Sequence, residues 1–165
     1  MYNSFIYPYF NYCITIWGST FDTYLDPLVK LQKHAVRLIN GVKKYTHTDP
    51  LFEKCNILKL EQIYIYTAQS LLYKFNNNML PQVFSDFFQR NSNFHSCNTR
   101  IQYLFRPPLI RTEPAVRSII VKGVYIFNYL YTELPLDPTI SIYKASLKEL
   151  ILKRNVTMEM IEPDE

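Results

Sequence analysis

The chain has 165 residues, 48% of them hydrophobic, with 10 Pro and only 3 Gly, a composition that suits one packed domain and excludes a disordered or fibrous chain. Aromatic residues make up 16%, with 14 Tyr and 11 Phe against 1 Trp, so the core should be ring-rich and its hydroxyls in need of partners or water. The net charge of +4 conceals an asymmetry: residues 157–165 hold Glu159, Glu162, Asp164 and Glu165 without a base, leaving a basic body and an acidic tail. A basic body is compatible with a polyanion such as nucleic acid, and is also common in proteins that bind none.

Residues 1–21 carry no charged side chain. No cationic segment precedes them, and Asn3, Ser4, Pro8, Asn11, Thr15 and Ser19 interrupt the apolar run, so neither a signal peptide nor a membrane span fits. The stretch is expected to form a buried helix. Leu25, Leu28, Val29, Ala35, Val36 and Ile39 then recur at helical spacing, with Asp26-Pro27 suited to a start and Asn40-Gly41 to an exit. Thr48-Asp49-Pro50 predicts a restart and a short helix over 51–55.

The strongest pattern follows at Leu60, Ile63, Tyr64, Ala68, Leu71, Leu72 and Phe75, ended by Asn76-Asn77-Asn78. Leu80-Pro81 precedes an apolar turn through Val83, Phe84, Phe87 and Phe88, after which residues 89–112 lose periodicity and read as loop or extended chain. Segments 103–110 and 118–121 could pair as a short hairpin, whereas Pro114, Val116, Ile119, Ile120 and Phe127 equally fit a helix. Residues 140–153 predict a last amphipathic helix, with Tyr143, Leu147, Leu150 and Ile151 on one side. The expected fold is mainly α, a helical bundle with at most one short β-hairpin near 103–121.

Lys30, Lys33, His34 and Arg37 fall at i, i+3, i+4 and i+7, and Lys43 and Lys44 follow, with no acid between residues 27 and 48. Such a stripe can track a phosphate backbone, because spaced cations displace condensed counterions. It is equally the solvated face that a surface helix presents opposite its apolar stripe. A second acid-free stretch holds Arg90, Arg100, Arg106 and Arg111, whose forked guanidinium groups suit phosphate or simply anchor a polar loop.

No catalytic constellation emerges. Cys13, Cys55 and Cys97 lie far apart without a C-x-x-C pair, which argues for a reducing compartment and against a disulfide framework. His95 and Cys97 lack structural-zinc spacing, and a Cys-His nucleophile would have no identifiable orienting group. No clustered carboxylates or glycine-rich phosphate loop appear. The sequon Asn155-Val156-Thr157 has no secretory signal to accompany it.

Several strings taken together resemble the region downstream of the catalytic palm in reverse transcriptases of jockey-like non-LTR retrotransposons. They are Tyr2-Asn3-Ser4-Phe5-Ile6-Tyr7-Pro8-Tyr9 with Tyr12-Cys13 and Trp17-Gly18, Leu31-Gln32-Lys33-His34-Ala35-Val36-Arg37, and His47-Thr48-Asp49-Pro50-Leu51-Phe52. Ile57-Leu58-Lys59-Leu60, Leu80-Pro81, and His95 with Asn98-Thr99-Arg100 follow in order. His34 replaces a common arginine of that family, and Cys97 stands where it has a tyrosine. Arg111-Thr112, Ser118-Ile119, Gly123, Phe127-Asn128 and Leu130 look like a drifted form of its last stretch, with Phe127 for a tryptophan and Tyr131 for a proline.

The resemblance implies a thumb, the mainly helical unit that holds the primer-template duplex of an RNA-directed DNA polymerase. It implies a thumb-like domain over 1–89, a connector over 90–113, a C-terminal segment with a terminal helix over 114–156, and the acidic tail 157–165. The palm with its paired aspartates and divalent metal, Mg, would lie upstream of Met1, which would itself fall within the first thumb-like helix, like a fortuitous start or a truncated gene model. The chain alone is then expected to have no cofactor and no catalytic residue. Its expected partners are that palm and an RNA/DNA or DNA duplex, met through Lys30, Lys33, His34, Arg37, Lys43, Lys44 and Arg100. By the same analogy the compartment is nuclear or cytoplasmic and not secretory.

Overall fold

The computed structural model describes residues 1–93, 101–110, 112–131, 133–134 and 139–161. Where one buried N-terminal helix was expected, the chain forms three short pieces, α1 (Tyr2–Phe5), α2 (Tyr7–Asn11) and α3 (Ile14–Trp17). Pro8 is one cause, since it lacks the N–H that would continue α1 into α2. Cys13 is the other, in the left-handed region at φ 50°. Only Tyr2, Phe10, Ile14 and Ser19 are buried in this stretch.

Helix α4 (Asp22–Ile39) begins a turn before the Asp26-Pro27 start that the sequence suggested, so Pro27 lies inside it. The exit is where expected: Asn40 caps the end, its Nδ2 donating to the Val36 carbonyl, and Gly41 turns the chain at φ 62°. Helix α5 (Asp49–Lys54) follows the predicted restart, with Pro50 in its first turn.

Helix α6 (Leu60–Asn76) is the axis of the molecule. Ile63, Tyr64, Ile65, Ala68 and Leu72 are buried around its circumference, and α2, α3, α4, α8 (Ile119–Leu130) and α9 (Ile140–Arg154) all pack on it. Gln62 Oε1 accepts the Lys59 N–H ahead of its first turn, satisfying a donor that a helix start leaves orphaned.

A two-stranded antiparallel ladder pairs β1 (Gln89–Arg90) with β2 (Phe105–Arg106). The strand in 103–110 thus pairs backwards along the chain, and 118–121 takes the helical alternative, entering α8 after the short α7 (Glu113–Val116). Asn128 of α8 explains how so short a ladder is held: its Oδ1 accepts the Phe105 N–H and its Nδ2 donates to the Phe105 carbonyl. Around it Phe75, Phe88, Phe105 and Phe127 meet ring to ring.

On α9, Tyr143, Leu147 and Ile151 are buried, and the Tyr143 ring stacks on Tyr73 with centroids 3.8 Å apart. Its hydroxyl accepts from Gln69 Nε2, and burial pushes the phenol up to about 12. Asn155, the sequon residue, leaves the helix in the left-handed region and accepts from Gln62 Nε2. Val156 and Ile161 then join the same core as Phe10, Ile14 and Ile65, so early and late segments share one interior. No helix among the described residues is long and apolar enough to cross a membrane.

Candidate nucleic-acid interface

The basic stripe is oriented by what lies behind it. Gln32 and Val36 are buried on the inner face of α4, which leaves Lys30, Lys33 and His34 exposed on the outer one. Gln32, which the apolar pattern did not single out, adds polar ties to that orientation. Its Nε2 donates to the Tyr2 hydroxyl and to the Leu58 carbonyl, at 2.7 and 2.9 Å, while its Oε1 accepts the Leu60 N–H at 2.9 Å. One amide therefore ties α4 to α1 and to the start of α6.

Lys43 and Lys44 are exposed on the turn that follows α4. Arg37 is not free beside them: it is half-buried, and its Nε donates to the Thr46 carbonyl at 2.9 Å. The Thr46 N–H bonds in turn to the Lys43 carbonyl. Arg37 thus positions the turn that carries Lys43 and Lys44. Arg100 lies outside the described residues, as do His95, Cys97 and Arg111.

Two features modify the stripe that sequence spacing suggested. Asp49 folds back towards it, paired with Lys59 at 2.8 Å, and its carboxyl is held below the ordinary range first by Lys59 and more weakly by Lys33 and His47. The acid-free run in sequence is therefore not acid-free in space. The outer face of α4 also carries Tyr24, Leu31 and Leu38, 60% to 70% exposed, one heptad apart beside the cations. Their seven-residue spacing was visible in the sequence as a second row on the supposedly polar side.

The other arginines of the second acid-free stretch diverge. Arg90 Nη2 donates to Asn76 Oδ1 at 2.6 Å and its guanidinium lies 5.8 Å from the Phe105 ring centroid, so it anchors the ladder to α6. Arg106 is on the exposed side of β2. Among the cysteines, Cys55 Sγ lies 3.2 Å from Asn40 Nδ2, so an amide and not an imidazole is its neighbour, and Cys13 is exposed. Among the described residues no three His, Cys, Asp or Glu side chains converge as a metal would require.

Comparison with protein-family models, with curated proteins and with solved structures finds no match for the chain.

Proposed function

We propose that the chain is the thumb region of an RNA-directed DNA polymerase from a non-LTR mobile element, and that it holds an RNA/DNA or DNA duplex through the outer face of α4. The single observation that carries the binding is the exposure of Lys30, Lys33 and His34 on one helix face, continued by exposed Lys43 and Lys44. The ordered strings that resemble the polymerase family support the origin. Lys30 and His34 lie one turn apart, about 6 Å along the axis, a spacing that suits successive contacts with a phosphate backbone. On this reading the chain alone does not polymerise and binds without sequence preference.

The test is binding of a fluorescent RNA/DNA hybrid by anisotropy at fixed salt. Lys30→Glu with Lys33→Glu should weaken binding at least about tenfold, while the same charge change on α9, Lys144→Glu with Lys153→Glu, should leave it nearly unaltered. Equal losses from both pairs would overturn the assignment of the face. Arg37 is unsuitable for this comparison, since replacing it also releases the Thr46 carbonyl.

A second reading, a non-enzymatic helical interaction module derived from such an element, is favoured by the N-terminal pieces. Phe5, Tyr9, Tyr12 and Ile16, all within the uncharged stretch 1–21, are each 70% or more exposed, where large apolar side chains bared close together in sequence suit contact with another protein. Of the aromatic residues near the N-terminus, Tyr9 and Tyr12 face outward, whereas Phe10 is buried and Tyr7 and Trp17 are half-buried.

A further inference from the structure

Away from the basic face, α1, α2, α6 and α9 bring Tyr2, Tyr7, Tyr66 and Lys148 to the lining of one pocket of about 250 Å³, with Asn3 and Asn56 beside them. We propose that this pocket binds a small oxyanion, a phosphate or carboxylate group, through the three phenolic O–H donors and the Lys148 ammonium.

The direction of the Tyr2 hydroxyl follows from its neighbour. The Leu60 N–H can only donate and the Leu58 carbonyl can only accept, so they determine which end of the Gln32 amide is oxygen and which is nitrogen. Gln32 Nε2 therefore donates to the Tyr2 oxygen, and the Tyr2 proton has no use in that network. Tyr2 is only 6% exposed, so the pocket is where this buried donor can be satisfied. Tyr7 and Tyr66 make no hydrogen bond through their hydroxyls to other described residues. Burial raises all three phenols above their ordinary value of 10.0, so each remains a protonated donor at neutral pH.

Charge selects the ligand. Among the described residues no carboxylate lines the pocket, and Lys148, half-buried, forms no ion pair with any of them. A neighbouring groove shares Asn56 and Lys148 and is bordered by Ala145 and Leu152, by the carboxylates of Glu53 and Glu149 and by the Lys153 ammonium. Its charges are mixed, so it offers room for the uncharged remainder of an organic ligand, whereas the donor-lined pocket with Lys148 favours the anionic group itself. The site therefore suits a single anionic group and is distinct from a duplex-binding face.

Calorimetric titration of the full chain with inorganic phosphate, and separately with acetate, tests the site. At least one of the two anions should bind, with Lys148→Met and Tyr7→Phe each weakening it about tenfold and Lys74→Gln leaving it unchanged. Phosphate alone, or acetate alone, names the oxyanion. The unmutated protein supplies a second readout: the bound anion should slow acetylation of the Lys148 amine relative to Lys74. Binding that survives in both pocket variants, or saturating anion that neither gives heat nor protects Lys148, would overturn the proposal.

Discussion

Two residues show how much of this molecule depends on single close approaches. Replacing Gln32 by Leu keeps the volume of an inner-face side chain but strips partners from the Leu60 N–H and the Leu58 carbonyl, both buried. The expected loss is about 2–4 kcal/mol, measured as the shift of the urea midpoint. Gly18 is needed for space and not for its φ of −70°. A Cβ there would lie 2.5 Å from the Ile14 carbonyl oxygen and 2.7 Å from Tyr64 Cδ2. Gly18→Ala should therefore destabilise by about 1–3 kcal/mol in the same assay, and a neutral result would mean that α3 can move off α6.

At the scale of elements, the ends of α6 and its neighbours are held by carboxylates with opposite pH behaviour. Glu61, in the first turn of α6, accepts the Met158 N–H and so pins the turn Met158–Met160. Burial, and more weakly Glu159 and Asp22, raise its carboxyl above the ordinary 4.5, against the lowering effect of the Met158 hydrogen bond. Its contribution to stability is present in full below 4.5 and is lost as pH rises through the raised value. Glu61→Gln keeps an acceptor for Met158 without the carboxylate charge, so the variant should be at least as stable as the parent at neutral pH. The advantage should vanish in acid, as read from urea midpoints at the two pH values. Asp49 has the reverse sign: with its carboxyl lowered chiefly by Lys59, its contribution is present above the ordinary 3.8 and is lost as pH falls through the lowered value. With the Asp49 side chain 63% exposed, that pair is screened and worth little. Asp49→Asn should accordingly flatten the acid limb of the stability profile and change little at neutral pH.

How much of these elements was legible in the sequence depended on what held them. Helices α4, α6 and α9 were readable because a continuous apolar stripe demands one period. The start of α4 was not, because Asp26-Pro27 imitates a helix start while Phe21 and Asp22 supply the real one. The N-terminal stretch was misread as one helix because its breaks come from Pro8 and from a left-handed Cys13, and cysteine carries no turn signal. The β1–β2 ladder was unreadable as a pair, since two residues a side give no alternation and its support is the distant Asn128.

On the scale of the whole molecule, the cations of the candidate interface were legible as a helical stripe, but their roles were not. Only folding reveals that Arg37 is spent on the Thr46 carbonyl and that Asp49 returns to the field of Lys33. The exposed side chains of Phe5, Tyr9, Tyr12 and Ile16 make a separate prediction: light scattering should show association that strengthens with salt, as expected for apolar contact, and that Tyr9→Lys with Tyr12→Lys abolishes. A monomer at all concentrations, with or without these substitutions, would leave the interaction reading without its surface. The central claim, that the outer face of α4 holds a duplex, is tested most directly by the salt dependence of hybrid binding. With Lys30, Lys33, Lys43 and Lys44 each neutralising one phosphate, log K should fall against log salt with a slope of about −3 to −4. Neutralising Lys30 and Lys33 together to Gln should make the slope shallower by about 2. A slope that is the same in parent and variant would contradict it.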